Sequence, residues 1–495
     1  MNVSELIAFC EPLSVIGQGP GDIGSLSQDS RTVNKGDIFI AVRGYTSDGH
    51  AHIGQAVENG ATVVIAEEKT TELDSVVQII VQDTRELIGP LSQKLAGNPA
   101  QKLITVGITG TNGKTTVATL IWQTLTGMGQ PASLLGTVGK RFNRKKAQKA
   151  GLTTADPIEI ARDMKTMVEM GSRFVVMEVS SHALEQQRTK GIPFDVGVFT
   201  NLSHDHLDYH KTEENYAKAK KKLFDSLPAD GWAITNTDDA RGEWIVKDCS
   251  AKIIGLSFHK HAAVQANIIE ANERGTQIDV EDLQLKTPLV GTFNAYNAVQ
   301  ALLTTTALGF DGQLVAETLA GCKGAPGRLE RVEINKNKVA QPAVFVDYAH
   351  TPDALENVCK TLKNLKHEGQ QLAVLFGCGG DRDRTKRPEM AKIAEEYADR
   401  IIVTSDNPRT EDPQAIIDEI LKGFADAPSV ESTPSRRAAI ESLILEASAD
   451  DILLIAGKGH ETYQEINGKR NHFDDREEAL AALEKRTDHV KPGGA

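Results

Sequence analysis

The decapeptide GITGTNGKTT at residues 107–116 carries residue types that suit phosphate chemistry. A glycine-rich turn between a strand and a helix lets backbone N–H groups surround a polyphosphate at the positive end of the helix dipole. In such a loop Lys114 reaches the β- and γ-phosphates, and the hydroxyl of Thr115 ligates Mg²⁺. The glycines lie at positions 107, 110 and 113, which differs from the strict Walker spacing. We therefore predict a variant phosphate-binding loop.

Two further segments place carboxylates and imidazoles after apolar runs. Residues 177–182, MEVSSH, include Glu178 at the end of a predicted strand, where a P-loop sheet holds the carboxylate that binds Mg²⁺ or orients its waters. Residues 203–210, SHDHLDYH, contain three histidines and two aspartates, which suit a second metal ion or a proton relay. A solvated glutamate and a polar surface loop are the alternatives, and the clustering favours function.

Three other polar features have a structural and a functional interpretation. Residues 217–222, AKAKKK, indicate by composition a solvated basic helix face. Asn294 lies where an apolar helix begins, so it could cap that helix or contact a nucleotide base or ribose. Arg328 follows a turn with glycine and proline, where a cation could meet a phosphate.

Four apolar runs near the C-terminus are each followed by polar or glycine-rich residues. The predicted strands are 343–347, 372–377, 401–405 and 452–456, and the segments that follow them begin YAH, CGGDR, DNPR and GKGHE. Parallel sheets place their binding residues beyond the carboxyl ends of their strands. We therefore expect these segments to form one binding site.

Strand and helix patterns alternate along most of the chain, which predicts an α/β fold with parallel, helix-covered sheets. An early strand–helix–strand pattern covers 37–42, 52–59 and 61–66, and later strands are expected at 174–179, 196–200, 232–236 and 253–257. Polar stretches at 98–102, interpreted as a linker, and at 333–341 divide the chain. We predict three domains, 1–100, 101–337 and 338–495, with a ligand cleft between two α/β domains.

Composition narrows the class of protein. The 495 residues are 40% hydrophobic and 25% charged, and the net charge of −13 argues against a nucleic-acid partner. The five cysteines are widely spaced, so neither a disulfide framework nor a zinc site is indicated. The N-terminus lacks the pattern of a signal peptide, and no stretch approaches about 20 apolar residues. We expect a monomeric cytoplasmic enzyme that acts on small molecules, without membrane insertion.

Taken in order, the motifs resemble those of the Mur ligases of bacterial peptidoglycan synthesis, most closely the diaminopimelate-adding members. They run from Asp29 to Glu461 and read DSR, GITGTNGKTT, MEVSSH, TNLSHDHLDYH, GTFNAYN, APGRLE, VDYAHTPDAL, FGCGGDRDRTKRP, DNPRTEDP and AGKGHE. The resemblance implies a UDP-substrate-binding domain, a central P-loop-type ATPase domain and a C-terminal Rossmann-like domain. It also implies ATP as a substrate and Mg²⁺ as a cofactor.

The resemblance assigns roles to residues of this sequence. The implied catalytic residues are Lys114, Glu178, His206 and Lys220. The implied Mg²⁺ ligands are Thr115, Glu178 and His206, and Lys220 as a carbamate would hold a second Mg²⁺. The implied ATP contacts are Gly110, Thr111, Asn112, Gly113, Lys114, Thr115, Thr116, Asn294, Arg328, Asp347 and His350. The implied contacts to the uridine part of the UDP-substrate are Asp29, Ser30, Arg31, Tyr45, Thr46 and Ser47. The implied contacts to its muramoyl-peptide part are Thr153, Thr154, Ser180, Gln186 and Arg188. Leu152 and Gln28 depart from the residue types common in the family.

The resemblance also implies an amino-acid pocket and a reaction. The pocket residues would be Arg387, Asp406, Asn407, Pro408, Arg409, Gly457 and Glu461. Arg409 is absent from lysine-adding relatives, and a guanidinium would pair with the extra carboxylate of diaminopimelate. The implied reaction adds meso-2,6-diaminopimelate to the D-Glu γ-carboxylate of UDP-MurNAc-L-Ala-D-Glu through an acyl phosphate. A lysine-adding enzyme, a folylpolyglutamate-type ligase and a P-loop ATPase acting on a protein partner are the alternatives.

Overall fold

The computed structural model describes residues 1–17, 22–45, 47–70, 76–143, 145, 147–203, 205–334 and 340–489. Two of the residues named above, Thr46 and His204, lie outside this described part. The chain forms two compact units, Met1–Val264 and Gln265–Ala495. Parallel-rich sheets with helices confirm the α/β class. The two predicted domain boundaries stay predictions.

The first unit begins with a small sheet whose strand order is β1-β5-β4-β3-β2. Its strands are β1 (Ser14–Ile16), β2 (Leu26–Ser27), β3 (Ile38–Ile40), β4 (Val63–Ala66) and β5 (Val77–Ile80), and its helices are α1 (Val3–Cys10), α2 (Ile53–Glu58) and α3 (Thr84–Leu95). Valine and isoleucine fill the buried strands β3 to β5, which suits parallel pairing. The strand predicted at 37–42 is shorter than expected, and the helix predicted at 52–59 begins after a 3₁₀ turn.

A larger parallel sheet follows in the first unit, in the order β12-β11-β10-β6-β9-β7-β8. Its strands are β6 (Ile104–Thr109), β7 (Ala132–Gly136), β8 (Gly139–Arg141), β9 (Phe174–Glu178), β10 (Val196–Phe199), β11 (Trp232–Asn236) and β12 (Lys252–Ser257). Its helices are α4 (Lys114–Gly127), α5 (Pro157–Glu169), α6 (Ser181–Glu185), α7 (Leu207–His210) and α8 (Glu213–Asp225). Only β8 pairs antiparallel in this set. The strand that leads into the glycine-rich loop is therefore central.

The stretch 98–102 is not the open linker that its polar composition indicates. Pro99–Lys102 form a 3₁₀ helix in which Pro99 and Ala100 are buried. The side-chain carbonyl of Gln93, in α3, accepts a hydrogen bond from the Ala100 N–H at 3.2 Å. Proline favours the first position of such a helix because it has no N–H to leave unpaired. The N-terminal sheet and the parallel sheet are thus joined by packed chain.

The second unit begins with an antiparallel meander and two helices. A six-stranded sheet with helices follows them. The first part comprises β13 (Val264–Asn272), β14 (Gly275–Val280), β15 (Leu283–Thr287), α9 (Thr292–Ala307) and α10 (Gly312–Leu319). The sheet order is β16-β17-β21-β18-β19-β20, with β16 antiparallel and the others parallel. Its strands are β16 (Glu330–Val332), β17 (Ala343–Asp347), β18 (Leu372–Phe376), β19 (Arg400–Thr404), β20 (Glu431–Thr433) and β21 (Ile452–Ala456).

Five helices and a hairpin complete the second unit. They are α11 (Pro352–Leu365), α12 (Lys386–Tyr397), α13 (Pro413–Leu421), α14 (Arg436–Glu446), β22 (Tyr463–Ile466), β23 (Lys469–His472) and α15 (Asp475–His489). The four predicted C-terminal strands are confirmed, and Asp347 and Ala456 are paired at the carboxyl ends of neighbouring strands. Within the described residues, no helix has the length and apolar character needed to cross a membrane.

A buried ion pair connects the strand ends of this sheet. Arg436 and Asp475 begin α14 and α15, both side chains are 0% exposed, and they form two hydrogen bonds of 2.7 and 2.6 Å. The same guanidinium donates to the carbonyls of Ala456, at 3.0 Å, and Ser405, at 3.4 Å. These carbonyls end β21 and follow β19. One cation therefore holds two helix starts and two strand ends together.

Replacing Arg436 by methionine should lower the free energy of unfolding of the second unit by about 3–5 kcal/mol, because Asp475 is left charged and buried without its partner. The neighbouring pair of Arg437 and Glu478 provides the control, since Arg437 is 65% exposed. Arg437→Met should cost under about 1 kcal/mol. Chemical denaturation followed by circular dichroism measures both variants. Equal losses would show that the buried pair has no special role.

Candidate active site

The glycine-rich loop lies between β6 and α4, as predicted. Gly110 has φ +147°, and a Cβ there would lie 1.9 Å from the Thr200 hydroxyl oxygen, so no larger residue fits. Gly113 precedes α4 at φ +86° and provides no side-chain cap, so the first N–H groups of the helix receive no side-chain acceptor from it. Such N–H groups donate hydrogen bonds to a phosphate that binds at a helix N-terminus.

Lys114 is folded back over this loop. Its ammonium group donates to the carbonyls of Gly110 at 2.8 Å and Thr111 at 2.7 Å. The loop is fixed from β10, because the Thr200 hydroxyl donates to the Asn112 carbonyl at 2.6 Å. Thr116 is buried in the first turn of α4. The loop is thus a preformed turn with a cation above it.

Thr115 and Glu178 are brought together from two segments that are distant in sequence. The Thr115 hydroxyl donates to Glu178 Oε2 at 2.8 Å, and Glu178 Oε1 accepts from the Thr137 N–H at 2.7 Å. Glu178 is 1% exposed, so the solvated alternative is wrong. One hydroxyl and one carboxylate match the hard oxygen ligands of Mg²⁺, which also takes oxygens from water and phosphate. Among the described residues, no three His, Cys, Asp or Glu side chains form a ready metal cluster.

Lys220 is buried, in contrast to the solvated basic face that composition indicates for α8. It is 1% exposed, its ammonium donates to the Gly110 carbonyl at 2.7 Å, and it lies 4.2 Å from the Tyr216 ring centroid. Burial, followed by repulsion from Lys114, lowers the pKa of Lys220 well below its ordinary value. Lys221 is also buried, where it pairs with Asp225 and Asp248. The prediction failed because burial depends on packing against β6 and α6.

A cluster of rings surrounds the start of α7. His182 lies 4.9 Å from His206 and 4.2 Å from Tyr209, measured between ring centroids. His206 has a half-exposed side chain and a left-handed backbone. His210 is buried, and its Nε2 is 3.0 Å from the Ser181 hydroxyl. His206 and His210, two of the three predicted histidines, therefore lie near His182, which sequence reasoning did not single out although it ends MEVSSH. Their role with a metal ion or in a proton relay stays a prediction.

Most residues predicted to hold the muramoyl-peptide form one hydrogen-bonded network. Arg188 donates to the Thr154 carbonyl at 2.8 Å and to the Gln186 amide oxygen at 2.6 Å. Gln186 donates to the Tyr209 hydroxyl at 3.2 Å, and the Thr154 hydroxyl donates to Ser180 at 3.4 Å. Burial lowers the pKa of Arg188, and the half-buried guanidinium stays charged. The network thus places a cation among hydroxyl and amide groups, which suits an anionic, polar substrate.

The residues predicted to contact uridine have different surroundings. Tyr45 joins the network just described, with its ring 5.2 Å from Tyr209 and the Arg85 guanidinium 5.1 Å from its centroid. Ser30 instead donates to Gln55, and Ser47 pairs with His52. Thr153, the remaining muramoyl-peptide candidate, contacts the hydroxyl of Thr137 at 3.0 Å. Leu152, the residue that departs from the family pattern, is 56% exposed. Tyr45 is therefore the one described uridine candidate that touches the network.

In the second unit, Asp347 is buried at the end of β17 and accepts from the N–H groups of Leu329 at 2.6 Å and Ala349 at 2.7 Å. Burial raises the pKa of this carboxyl above its ordinary value. Arg328 lies over the Tyr348 ring at 4.9 Å, and its buried Nε has no hydrogen-bond partner among the described residues. His350 Nδ1 donates to the Tyr348 carbonyl at 2.8 Å, and burial lowers the pKa of the ring.

Asn294 does not cap its helix. The N-cap of α9 is Gly291, and the Asn294 amide donates to the Val290 carbonyl at 2.9 Å from inside the first turn. The capping interpretation is therefore wrong. Asn294 is also 1% exposed, so a nucleotide could reach it only through a small part of its surface. Its contact with ATP stays a prediction.

The DNPR and GKGHE segments meet at the carboxyl ends of β19 and β21. The Asn407 amide donates to Glu461 at 2.8 Å, and its oxygen accepts from the Lys458 ammonium at 3.0 Å. Lys458 is 0% exposed and lies 3.4 Å from Asp406 and 3.5 Å from Glu461. Sequence reasoning missed Lys458, although a lysine between glycines after an apolar strand was a usable signal. Gly457, at φ +119°, donates its N–H to the Asp347 carbonyl at 3.0 Å.

Two arginines predicted for this pocket have different surroundings. Arg409 donates to the Gly380 carbonyl at 2.7 Å, and the described residues provide it with no carboxylate. Arg387 is 0% exposed and forms ion pairs with Glu411 at 2.9 Å and Glu419 at 2.6 Å. Hydrogen bonding from Arg387 lowers the pKa of Glu411 to about 2. Arg387 therefore connects α12 to α13. The Arg409 guanidinium has no carboxylate partner among the described residues, so it could pair with an anionic ligand.

Comparison with known proteins gives matches along nearly the whole chain. The family models matched are Mur ligase family, catalytic domain, at 22–95; Mur ligase middle domain, at 108–305; and Mur ligase, glutamate ligase domain, at 327–459. A UDP-N-acetylmuramoyl-L-alanyl-D-glutamate–2,6-diaminopimelate ligase from Cytophaga hutchinsonii is 43% identical over 481 residues, which cover 96% of this chain and 98% of that protein. One of the same name from Geobacter sulfurreducens is 41% identical, with 98% and 99% covered.

Solved structures give the same result. A structure of a UDP-N-acetylmuramoyl-L-alanyl-D-glutamate–2,6-diaminopimelate ligase has a TM-score of 0.74 at 34% identity and covers 99% of this chain and 100% of its own. A MurF ligase from Thermotoga maritima in complex with ADP has a TM-score of 0.58 at 19% identity, with 94% and 98% covered, which indicates a common fold.

We expect His210 to make stability depend on pH. Burial, followed by the charge of His182, lowers the pKa of His210 from 6.5 to about 4. Between these pH values the unfolded chain binds a proton at this histidine and the folded protein does not. The free energy of unfolding therefore falls as the pH decreases from 6.5 to 4. His210→Gln should flatten this part of the profile, as measured by melting temperature at pH 7.5, 5.5 and 4.5. Parallel profiles for both proteins would contradict the prediction.

Proposed function

The chain belongs to the Mur ligase family, and we propose that it joins meso-2,6-diaminopimelate to UDP-N-acetylmuramoyl-L-alanyl-D-glutamate with hydrolysis of ATP. The observation that carries this choice is Arg409, a guanidinium at the carboxyl edge of the sheet with no carboxylate among the described residues. Relatives that bear the name of this ligase match at 38–43% identity over nearly their full length. The proposed reaction is a step in the synthesis of peptidoglycan precursors.

Arg409 distinguishes between the two closest acceptors by charge. Diaminopimelate has one carboxylate more than lysine, and a guanidinium binds a carboxylate through two parallel hydrogen bonds. With lysine bound, the guanidinium would keep only its contact with the Gly380 carbonyl. Glu461, Asp406 and the Asn407 amide oxygen supply acceptors for the ammonium groups of the ligand. The pocket thus offers complementary charge to both ends of diaminopimelate.

The first unit supplies the phosphate-binding part of the ATP site in this proposal. The two carbonyl contacts of Lys114 are short and local, so the ammonium can exchange them for oxygens of the β- and γ-phosphates without moving the backbone. The open N-terminus of α4 adds backbone donors. We also propose that ATP contacts four residues of the second unit, namely Asn294, Arg328, Asp347 and His350. The buried Nε of Arg328 has no hydrogen-bond partner among the described residues, which supports an anionic ligand at this position.

We propose Mg²⁺ as the cofactor, held by the oxygens of Thr115 and Glu178, with His206 and a carbamate on Lys220 as further ligands. When bound, the ion would neutralise charge on the phosphate oxygens and so favour attack on phosphorus. The lowered pKa of Lys220 supports the carbamate, because the neutral amine is the form that bonds to carbon dioxide with loss of a proton. The half-buried ammonium of Lys114 then serves as a countercharge.

In the proposed reaction, the D-Glu γ-carboxylate oxygen attacks the γ-phosphorus of ATP, and ADP leaves. The amine of diaminopimelate then attacks the carbonyl carbon of the acyl phosphate, loses a proton and expels phosphate, which forms the amide. Lys114 stabilises the transferring phosphoryl group, and Arg409 and Glu461 orient the acceptor. Arg188 and Tyr45 hold the UDP-linked substrate in the first unit. We place the reaction in the bacterial cytoplasm, where ATP is available, and expect a monomer.

Phosphate release tests the proposal directly. With ATP, Mg²⁺ and UDP-MurNAc-L-Ala-D-Glu, rapid release should require diaminopimelate, and lysine should support less than about one-thirtieth of the turnover because it leaves Arg409 unpaired. The assay without the UDP-substrate is the control. Equal turnover with lysine would contradict the assignment of Arg409, and release that ignores the UDP-substrate would contradict the reaction itself.

Lys220 provides an independent test within α8. Lys220→Ala should lose at least about 100-fold in turnover, and added bicarbonate should not restore it, because no amine remains to form a carbamate. Lys221→Ala is the matched control, since this neighbour is also buried but pairs with Asp225 and Asp248. Turnover near that of the unaltered enzyme in Lys220→Ala would remove the carbamate from the mechanism.

A further inference from the structure

The hairpin formed by β22 and β23 lies against the DNPR segment, and a two-residue turn with positive φ joins its strands. Its two turn residues, Asn467 and Gly468, have φ +48° and +73°. Positive φ at both positions is typical of the type I′ turn that joins paired strands most tightly, and Asn-Gly is its preferred sequence. The strand β23 is exposed along its whole length. An exposed two-stranded hairpin has little stability of its own, so its conformation depends on this turn and on its contacts.

The contacts of the hairpin are concentrated on residues 406–409. The Arg409 N–H donates to the Glu465 carbonyl at 3.0 Å, and the Asn467 N–H donates to the Arg409 carbonyl at 2.6 Å. The Glu465 N–H donates to the Asn407 side chain at 3.0 Å. The Gln464 amide donates to the Asp406 carbonyl at 2.7 Å. Each residue of the motif except Pro408 is therefore bonded to the hairpin.

Arg409 needs this support because its backbone is in the left-handed region, at φ +54°. That region is unfavourable for a residue with a long side chain, and it persists only where surrounding bonds impose it. Both backbone groups of Arg409 are bonded to the hairpin, one on each side of the strained residue. The side chain is then directed to the Gly380 carbonyl.

We propose that the hairpin 463–472 is a positioning element that sets acceptor specificity by holding Arg409 in its left-handed conformation. The inference rests on the proposed function, because it concerns the same acceptor site. The hairpin need not touch the ligand itself, because it fixes Asn407 and Arg409, which contact the ligand in the proposed function. Loosening the turn should therefore weaken recognition of the second carboxylate of diaminopimelate while the ATP site stays intact.

Gly468→Ala is a clean perturbation of the turn. A Cβ at Gly468 would meet no atom within 4 Å, so the substitution adds no clash and changes only the backbone preference at φ +73°. Gly369→Ala is the matched control: Gly369 also has positive φ, at +86°, and open space, but it precedes β18 at the opposite end of the strands. Both variants should lose similar thermal stability, because each places a Cβ at positive φ.

We expect Gly468→Ala to raise the KM for diaminopimelate about five- to tenfold and to narrow the preference over lysine, with the KM values for ATP and UDP-MurNAc-L-Ala-D-Glu unchanged. Gly369→Ala should leave all three KM values and the preference unchanged. Steady-state phosphate release with the unaltered enzyme as reference measures them. A Gly468→Ala enzyme that matches Gly369→Ala would overturn the inference, whereas an unaltered enzyme inactive with diaminopimelate would instead contradict the proposed function.

A side-chain variant covers the case in which Gly468→Ala folds poorly. Gln464→Leu removes the hydrogen bond to the Asp406 carbonyl and keeps a half-buried side chain of similar size. It should shift the same KM and the same preference in the same direction, whereas Lys469→Ala, on the exposed strand of the hairpin, should not. Unchanged acceptor kinetics in Gln464→Leu would also overturn the inference.

Discussion

Buried nitrogen donors beneath the strand ends hold both predicted sites in shape. Lys220 donates to the Gly110 carbonyl in the first unit, and Arg436 donates to the carbonyls of Ser405 and Ala456 in the second. Carbonyls just past a strand have left the ladder of backbone hydrogen bonds, and burial without a donor would cost them free energy. A buried N–H donor satisfies them and lets the chain turn into an irregular loop. The loops that carry the chemistry depend on these donors.

In the proposed function, single cations would let a protein with a net charge of −13 bind anionic substrates. Positive charge is placed individually at the sites, on Lys114, Arg188, Arg328 and Arg409, instead of being spread over a surface. Low exposure strengthens each interaction relative to water, and it also makes an unpaired partner expensive. In the proposed function, specificity between similar acceptors would follow, because a single carboxylate would decide whether Arg409 is paired.

The strands, the glycine-rich loop and the meeting of polar segments at the carboxyl ends of strands were all predictable, because each depends on local pattern and on the geometry of parallel sheets. Burial of Lys220 and the pairing of Arg387 with Glu411 were not, since they depend on residues far along the chain. Asn294 was ambiguous because capping and ligand contact use the same residue type. Lys458 and the Asn-Gly turn at 467–468 did leave signals in the sequence.

The order of residues along the chain has a consequence for biosynthesis. Residues 406–409 are translated before the hairpin that fixes them, and Arg436 is translated 39 residues before the aspartate that neutralises it. Domains fold as their residues emerge during synthesis. A nascent second unit can therefore contain all its parallel strands while residues 406–409 still lack their bonds to the hairpin. In the proposed function, the acceptor site would become complete only when translation has passed the hairpin.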